Sequence, residues 1–313
     1  ELVKNLQREL KQIGETIKKT TNEKTNTVSP RLVDELTRKS LALVNETLRV
    51  TNSMGPCGSE IATSTLDVFR SLLSDVTNNA HNAVVGLFAC AFHFFYCTRD
   101  YSQMDSFFSL FQPSYEGVSD ANVSMYCTFN YYAGMISLMK NDPSKAMAYL
   151  TNAIRYIPSN TLNFRKALIP LIVLHLRKGE YPDQQVLVDS GLVDIFGELI
   201  CAVSRGDIQT FDRELARNEL MFIHHGLFIF VESLRFIVYR NLFDVAVKAY
   251  GTSKVPYSVF INALGAVGKE LSEFDLEFLL CNMASKQLVY CQLYHSHKIV
   301  VLRPSDPFVF YSD

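Results

Sequence analysis

Apolar residues recur at helical spacing along most of the chain, and the period shortens only near Val289. At the start, Leu2, Leu6, Leu10, Ile13 and Ile17 form a thin stripe in a Lys, Glu and Gln background, which predicts an amphipathic helix. Residues 18–30 are rich in Thr and Asn without periodicity and read as a linker. Ser29-Pro30 opens a second helix, because proline suits a first helical turn, and the polar stretch 52–59 ends it. From Ile61 onward helices follow closely: one marked by Leu66, Phe69, Leu72 and Leu73, then 84–96, 104–111, 123–139, 144–156 and 164–176. Their breaks are Gln112-Pro113-Ser114, Asn141-Asp142-Pro143 and Pro158. Short breaks between helices of this size are the grammar of antiparallel helix pairs.

A second section follows the polar break Gly179-Glu180-Tyr181-Pro182. Leu192, Val193, Phe196, Leu199, Ile200 and Val203 make a helical stripe, and Ser204-Arg205-Gly206-Asp207 closes it and caps a helix bearing Phe211 and Leu215. Residues 225–239 are apolar nearly all round and predict one buried central helix, continued by 241–250. Two more helices are expected, over 256–267 and from Ser272, where Ser272 stands at the cap. Residues 289–302 then read VYCQLYHSHKIVVL, two β-type runs around a polar His-Ser-His turn. Helix, helix, strand-turn-strand is the tail of a winged helix, a helix-turn-helix variant.

Residues 131–158 also look like one tetratricopeptide-type unit, with Gly134 after Tyr131, an Asp-Pro turn, Ala146, Leu150 and Ala153 on one face, and a closing Pro158. The expected fold is therefore all-α: a helical-repeat solenoid followed by a winged helix with a small β-hairpin. Its sections are 1–55 (N-terminal helices and linker), 56–182 (repeats), 183–250 (helical bundle) and 251–313 (winged helix).

Composition narrows the function. Hydrophobic residues reach 48% and charged ones only 20% of the 313 residues. So many helices should bury more than one face, or bury a partner surface. No run of 18 apolar residues appears, so no membrane span is expected, and no charged-then-apolar leader suggests a signal peptide. Seven Cys form no Cys-x-x-Cys pair; most sit in apolar patterns and read as buried free thiols of a reducing compartment. A formal net charge of −2 gives no global field for nucleic acid. Residues 140–180 are locally basic, with seven Lys or Arg against two acids, whereas 254–313 carry five against six.

Motifs for catalysis are missing: no Gly-x-Ser-x-Gly, no phosphate loop, no Gly-x-Gly-x-x-Gly. The pair His295 and His297 resembles the first ligands of a zinc isopeptidase, and Ser305 falls at the matching distance. Phe308, however, stands where the third ligand, an Asp, is needed, and Lys298 replaces the Pro. Two His without a carboxylate do not make the three-ligand open site that activates water. His224-His225 reads as a packed or cap-bonded pair.

These residues together resemble the PCI-domain family, whose members fuse helical repeats to a winged helix. The carriers are the Ser-Arg-Gly-Asp turn with Phe211 and Leu215, the run ELMFIHHGLFIFVESLRFIVYRNLF, and the closing hairpin. Within the family the strings are similar to those of the PCI subunit of the second transcription-export complex: Tyr-Arg-Asn-Leu-Phe at 239–243, Tyr-Tyr-x-Gly at 131–134, Lys-Ala-x-x-Tyr-Leu at 145–150, the His-x-His turn, and Pro307-Phe308. The resemblance implies a non-catalytic nuclear scaffold at the nuclear pore, with the cytoplasm open as a second location. It implies pairing with a large PCI scaffold subunit of the GANP/Sac type, joined by a small acidic peptide of the Sem/DSS type. RNA or DNA would be bound through the complex; no cofactor, membrane or small-molecule substrate is implied. A signalosome-like or proteasome-lid subunit is the alternative.

Two sets of residues carry the expected contacts. Lys286, His295, His297, Lys298 and Arg303 are the candidates for nucleic acid, because a wing and its preceding helix are what a winged helix presents to phosphates. Arg240, Asn241, Phe260, Phe274 and Phe278 are the candidates for a protein partner, since so many large apolar side chains exceed what a small module hides.

Overall fold

The computed structural model describes residues 1–20, 28–54, 58–79, 81–99, 107 and 123–311. The chain divides into two compact units, Glu1–Ile157 and Pro158–Asp313. The described residues are mainly helical, with one small antiparallel sheet in the second unit, the architecture of a helical array ending in a winged helix.

In the first unit the helices are α1 (Leu2–Thr20), α2 (Pro30–Met54), α3 (Gly58–Asn79), α4 (His81–Thr98), α5 (Val123–Met139) and α6 (Pro143–Ile154). The stripe of α1 is buried at Leu10, Ile13 and Ile17 against α2 and α3. Gly14 lies in that stripe, where a Cβ would stand only 3.0 Å from Leu72 Cδ2. Pro30 takes the first turn of α2 as expected, and the Ser29 carbonyl accepts from the Leu32 and Val33 amides. The α4 helix is apolar around most of its girth. Its Phe92 meets Phe129 of α5 edge-on, ring centres 5.2 Å apart. Among the described residues no helix is long and apolar enough to cross a membrane.

The repeat-like stretch is a helical hairpin with the predicted devices. Asp142 caps α6 by accepting from the Lys145 amide at 3.1 Å, and Pro143 follows it. Gly134 lets the two helices close, since a Cβ there would lie 2.7 Å from Leu150 Cγ. The helix expected at 104–111, the turn at 112–114 and part of the expected linker (21–27) lie outside the described residues, apart from buried Phe107.

The second unit runs α7 (Leu162–Arg177), α8 (Gln184–Asp189), α9 (Val193–Arg205), α10 (Ile208–Arg217), α11 (Glu219–His224), α12 (Phe228–Ser233) and α13 (Arg235–Tyr250), then the winged module. The Ser-Arg-Gly-Asp turn works as read: Gly206 ends α9 at φ 75°, and Asp207 caps α10 by accepting from the Thr210 amide at 3.0 Å. That acceptor role holds the Asp207 carboxyl below its ordinary range. The single helix expected over 225–239 is corrected. Gly226 adopts φ 67°, the Leu227 amide turns back to the Phe222 carbonyl, and a second break falls at Leu234. The segment is apolar all round because successive short helices bury different sides: Phe222, Val231 and Leu234 go inward, while Ile223 and Ile229 face out.

The module comprises β1 (Lys254–Pro256), α14 (Tyr257–Ala266), α15 (Glu273–Ser285), β2 (Cys291–Tyr294), a 3-10 turn at His295–His297 and β3 (Ile299–Leu302). The expected hairpin is two-thirds of an antiparallel sheet ordered β1-β3-β2. Val300 sits opposite both Val255 and Leu293. Pro256 is tolerated because β1 is an edge strand. The expectation of uniformly buried thiols is also corrected. Cys90 and Cys127 are buried, and burial pushes Cys90 up to about 12, but Cys97, Cys201 and Cys281 are exposed.

The tightest backbone approach in the second unit is at Gly206. A Cβ there would meet Leu242 N at 2.6 Å and Cα at 2.7 Å, on top of a left-handed φ. Gly206→Ala should destabilise the chain by about 2 kcal/mol or more, read as a lowered denaturation midpoint. An unchanged midpoint would show that α13 does not pack against this turn.

Candidate functional site

The candidate surface is built on α13 and the winged module of the second unit. The base of it is internal. Arg240, on α13, donates from Nη2 to the Phe308 carbonyl at 2.7 Å and from Nη1 to Asn241 Oδ1 at 3.0 Å and Asp244 Oδ2 at 3.3 Å. Its guanidinium also lies 4.1 Å from the centre of the Phe310 ring. The side chain is 12% exposed. Burial pushes the guanidinium below its ordinary range, while Asp244 opposes that shift. Asn241 is buried; its amide donates to the Val203 carbonyl at 2.7 Å and to Tyr181 Oη at 3.3 Å. So Tyr-Arg-Asn-Leu-Phe is a junction: Asn241 ties α13 to the end of α9, and Arg240 ties it to the segment that follows β3.

That following segment is the part sequence reasoning missed. Residues 308–311 return beside residues 288–290: the Tyr290 amide donates to the Pro307 carbonyl at 2.8 Å, and the Val309 amide to the Leu288 carbonyl at 3.1 Å. The Phe310 ring fits over Gly179, where a Cβ would come within 2.5 Å of Phe310 Cζ. The Tyr311 ring lies 4.5 Å from the Arg177 guanidinium. Two arginines thus hold two consecutive aromatic rings, a cation–π pairing that works best when desolvated. The sequence signal was present in the aromatic string after Pro307, but its receptors lie 70 and more residues upstream.

The partner candidates separate by depth. Phe260 is 0% exposed, with its ring edge-on to Phe243 at 5.0 Å, so it offers nothing to a second chain. Arg240 and Asn241 are spent on internal bonds. The partner-facing expectation for these three gives way to a packing role, because α13 is enclosed by α9, α10 and α14. Phe274 and Phe278 stand out from α15, 75% and 69% exposed.

The nucleic-acid candidates are all exposed, and four already have partners. Lys298 Nζ lies 2.7 Å from Glu273 Oε2, and His295 Nδ1 lies 2.7 Å from Glu277 Oε1. Arg303 donates to the Ser305 and Asp306 carbonyls, each at 2.7 Å, and covers the Tyr290 ring. Lys286 sits 4.9 Å from the Phe236 ring centre. His297 lies on the 3-10 turn at the wing tip. The acids that answer the wing come from α15, at positions i and i+4. Among the described residues no group of three His, Cys, Asp or Glu side chains is gathered to hold a metal. His225 is half-buried beside His224, and burial lowers its pKa first, with the neighbouring charges adding to this.

No family model matches the chain. Over 182 residues, 58% of the chain, it is 32% identical to PCI domain-containing protein 2 homolog of Caenorhabditis elegans, of which it covers 44%. It is 30% identical over 187 residues, again 58% of the chain, to PCI domain-containing protein 2 of Xenopus laevis, covering 46% of that protein. Over 58% of its length the chain is thus similar to proteins named for a PCI domain. A further relative is Protein CSN12 homolog of Yarrowia lipolytica, 27% identical over 186 residues, 58% of this chain and 47% of the relative. The chain spans less than half the length of these relatives. The outward groups of the winged module in this chain include the exposed Phe274 and Phe278, with Lys298 and His295 met by Glu273 and Glu277.

Arg240→Ala should release the 308–311 segment, cost about 2–3 kcal/mol for a buried charged donor, and expose a new protease-sensitive site after Arg303. Arg240→Lys should not rescue it, because an ammonium cannot both fork and stack. A stable, protease-resistant Arg240→Ala protein would contradict the clamp. Separately, the hydrogen bond from His295 holds the Glu277 carboxyl below its ordinary range. A lowered folded pKa gives stability that is present above the unfolded value and lost as pH falls through the folded one. Acid titration should therefore loosen the wing below about pH 4.5, seen in the His295 ring NMR signals, and Glu277→Gln should abolish that step.

Proposed function

We propose that this PCI-family chain is a non-catalytic scaffold subunit of an mRNA-export assembly, coupling transcription to export at the nuclear pore. It pairs through its winged module with a large PCI scaffold subunit of the GANP/Sac type, and a small acidic peptide of the Sem/DSS type joins them. The chain resides in the nucleus. RNA or DNA is held by the assembled complex rather than by this chain alone. The observation that carries the reading is the architecture itself: a helical array locked by Arg240 and Asn241 to a winged module whose largest outward groups are Phe274 and Phe278. Such a module offers area for pairing but little free positive charge, and counterion release by Lys and Arg supplies most non-specific affinity for phosphates. Hence a partner must bring the charge.

A second reading, a subunit of a signalosome-like or proteasome-lid assembly with protein partners only, is favoured by the acid-answered wing and by the likeness to Protein CSN12 homolog. Affinity purification of the full chain separates the two. Recovery of a large PCI scaffold with a small acidic peptide, and salt-dependent RNA binding by that complex, is the expected result. Recovery of deconjugating-enzyme subunits without RNA binding would overturn it in favour of the second reading.

A further inference from the structure

The basic stretch at 140–180 splits once folded. Lys145 pairs with Asp142, and Arg177 lies on the Tyr311 ring. Arg165 and Lys166, in the first turns of α7, are left over, and the structure brings His224 and His225 to them. Arg165 Nη1 stands against the bare turn at Gly191, where a Cβ would lie 3.6 Å away. Just past that turn, Phe196 of α9 meets Phe222 of α11, ring centres 6.0 Å apart, and α11 ends at His224 with His225 as its cap. Both helices are thus seated on the start of α9. The two imidazole rings stand 5.6 Å apart. Burial lowers the pKa of His225, and the charges of His224, Lys166 and Arg165 push the same way, with no carboxylate opposing them. None of the four side chains has an ion pair or hydrogen bond among the described residues. The first turn of α7 holds no acid either. Thr161 caps it by accepting from the Phe164 amide at 3.2 Å, and the positive end of the helix dipole adds to the field.

Such groups with no answering acid repel one another, and a multiply charged anion relieves that repulsion. Their surroundings choose its source. Leu162 is 75% exposed, Leu220 82% and Ile223 52%. Leu162 shares a helix face with Arg165 and Lys166, and Leu220 shares one with Ile223 and His224, at i, i+3 and i+4 in both cases. No exposed Phe, Tyr or Trp stands on either helix for a base to stack on, and each RNA phosphate brings a single charge. A phosphoserine or phosphothreonine brings about −1.5 to −2 and three acceptor oxygens, with neighbouring side chains to cover the leucines. We propose that Arg165, Lys166, His224 and His225 form a phosphomonoester-binding site that takes a phosphorylated serine or threonine of a partner protein. Arg165 offers the two-pronged donor, Lys166 the point charge and the imidazoles further N–H donors, while Leu162, Leu220 and Ile223 receive the flanking apolar residues. The site uses none of the winged module's residues, so it stands or falls separately from the assembly proposed above.

The test passes the purified full chain over peptides of randomised sequence that carry phosphoserine, serine or glutamate at one fixed position. Retention on the phosphoserine set alone, released by phenyl phosphate, is expected. It should fall about tenfold with Lys166→Glu or Arg165→Ala. Lys254→Glu, the same charge change on exposed β1, should leave it as it was. The thermal midpoint of Lys166→Glu should hold because Lys166 is exposed, so that lost retention is not lost folding. Equal retention on the glutamate peptides would overturn the proposal, since any acid would then serve. So would an equal fall with Lys254→Glu, or no retention of phosphoserine peptides, whether or not single-stranded RNA binds in their place.

Discussion

The second unit depends on one cation buried between a helix and a returning strand. Arg240 sits near the middle of α13 and reaches the Phe308 carbonyl, the Phe310 ring and Asp244, while its neighbour Asn241 reaches the Val203 carbonyl. A charge this far from water is costly unless its donors are met; its Nε finds no acceptor among the described residues, so the other nitrogens and the ring must carry it. Because the pair faces both ways, the helices before it and the winged module after it share one anchor. That is why Gly206 must be glycine: only a residue without Cβ lets α13 approach closely enough for Asn241 to reach α9.

The same anchoring decides what the module can show to the outside. With Phe260, Leu264, Leu276 and Leu280 spent on the core, the outward face of α15 is free to carry residues that the fold does not need. Lys298 and His295 of the wing are answered by that helix's own acids, Glu273 and Glu277. Packing and charge thus leave the outward side of α15 with exposed Phe274 and Phe278 and with acids that meet Lys298 and His295.

Much of this was legible in the order of residues. Helical spacing located most of the described helices, Asp142-Pro143 and Gly206-Asp207 marked their caps, and the change of period at Val289 located the wing. The misses have physical causes. β1 is three residues long, contains a proline and runs straight into a helix, so it has no period of its own. The segment 225–239 was apolar on all sides, which one buried helix and two short helices with different inward sides produce equally well. Arg240 and Asn241 looked like surface candidates because a polar pair in an apolar helix signals either a contact outward or a buried bond, and only the fold supplies Val203 and Phe308 as acceptors. The pairing of Lys298 with Glu273 spans 25 residues and is likewise set by tertiary structure.

Arg240 and the 308–311 segment act as one clamp. A double-mutant cycle between Arg240→Ala and Phe310→Ala, measured by denaturant unfolding of the full chain, tests it most directly. A coupling of about 1–2 kcal/mol is expected, with Phe310→Ala adding little once the arginine is gone. Strictly additive losses would contradict it and would leave the winged module without the anchor described above.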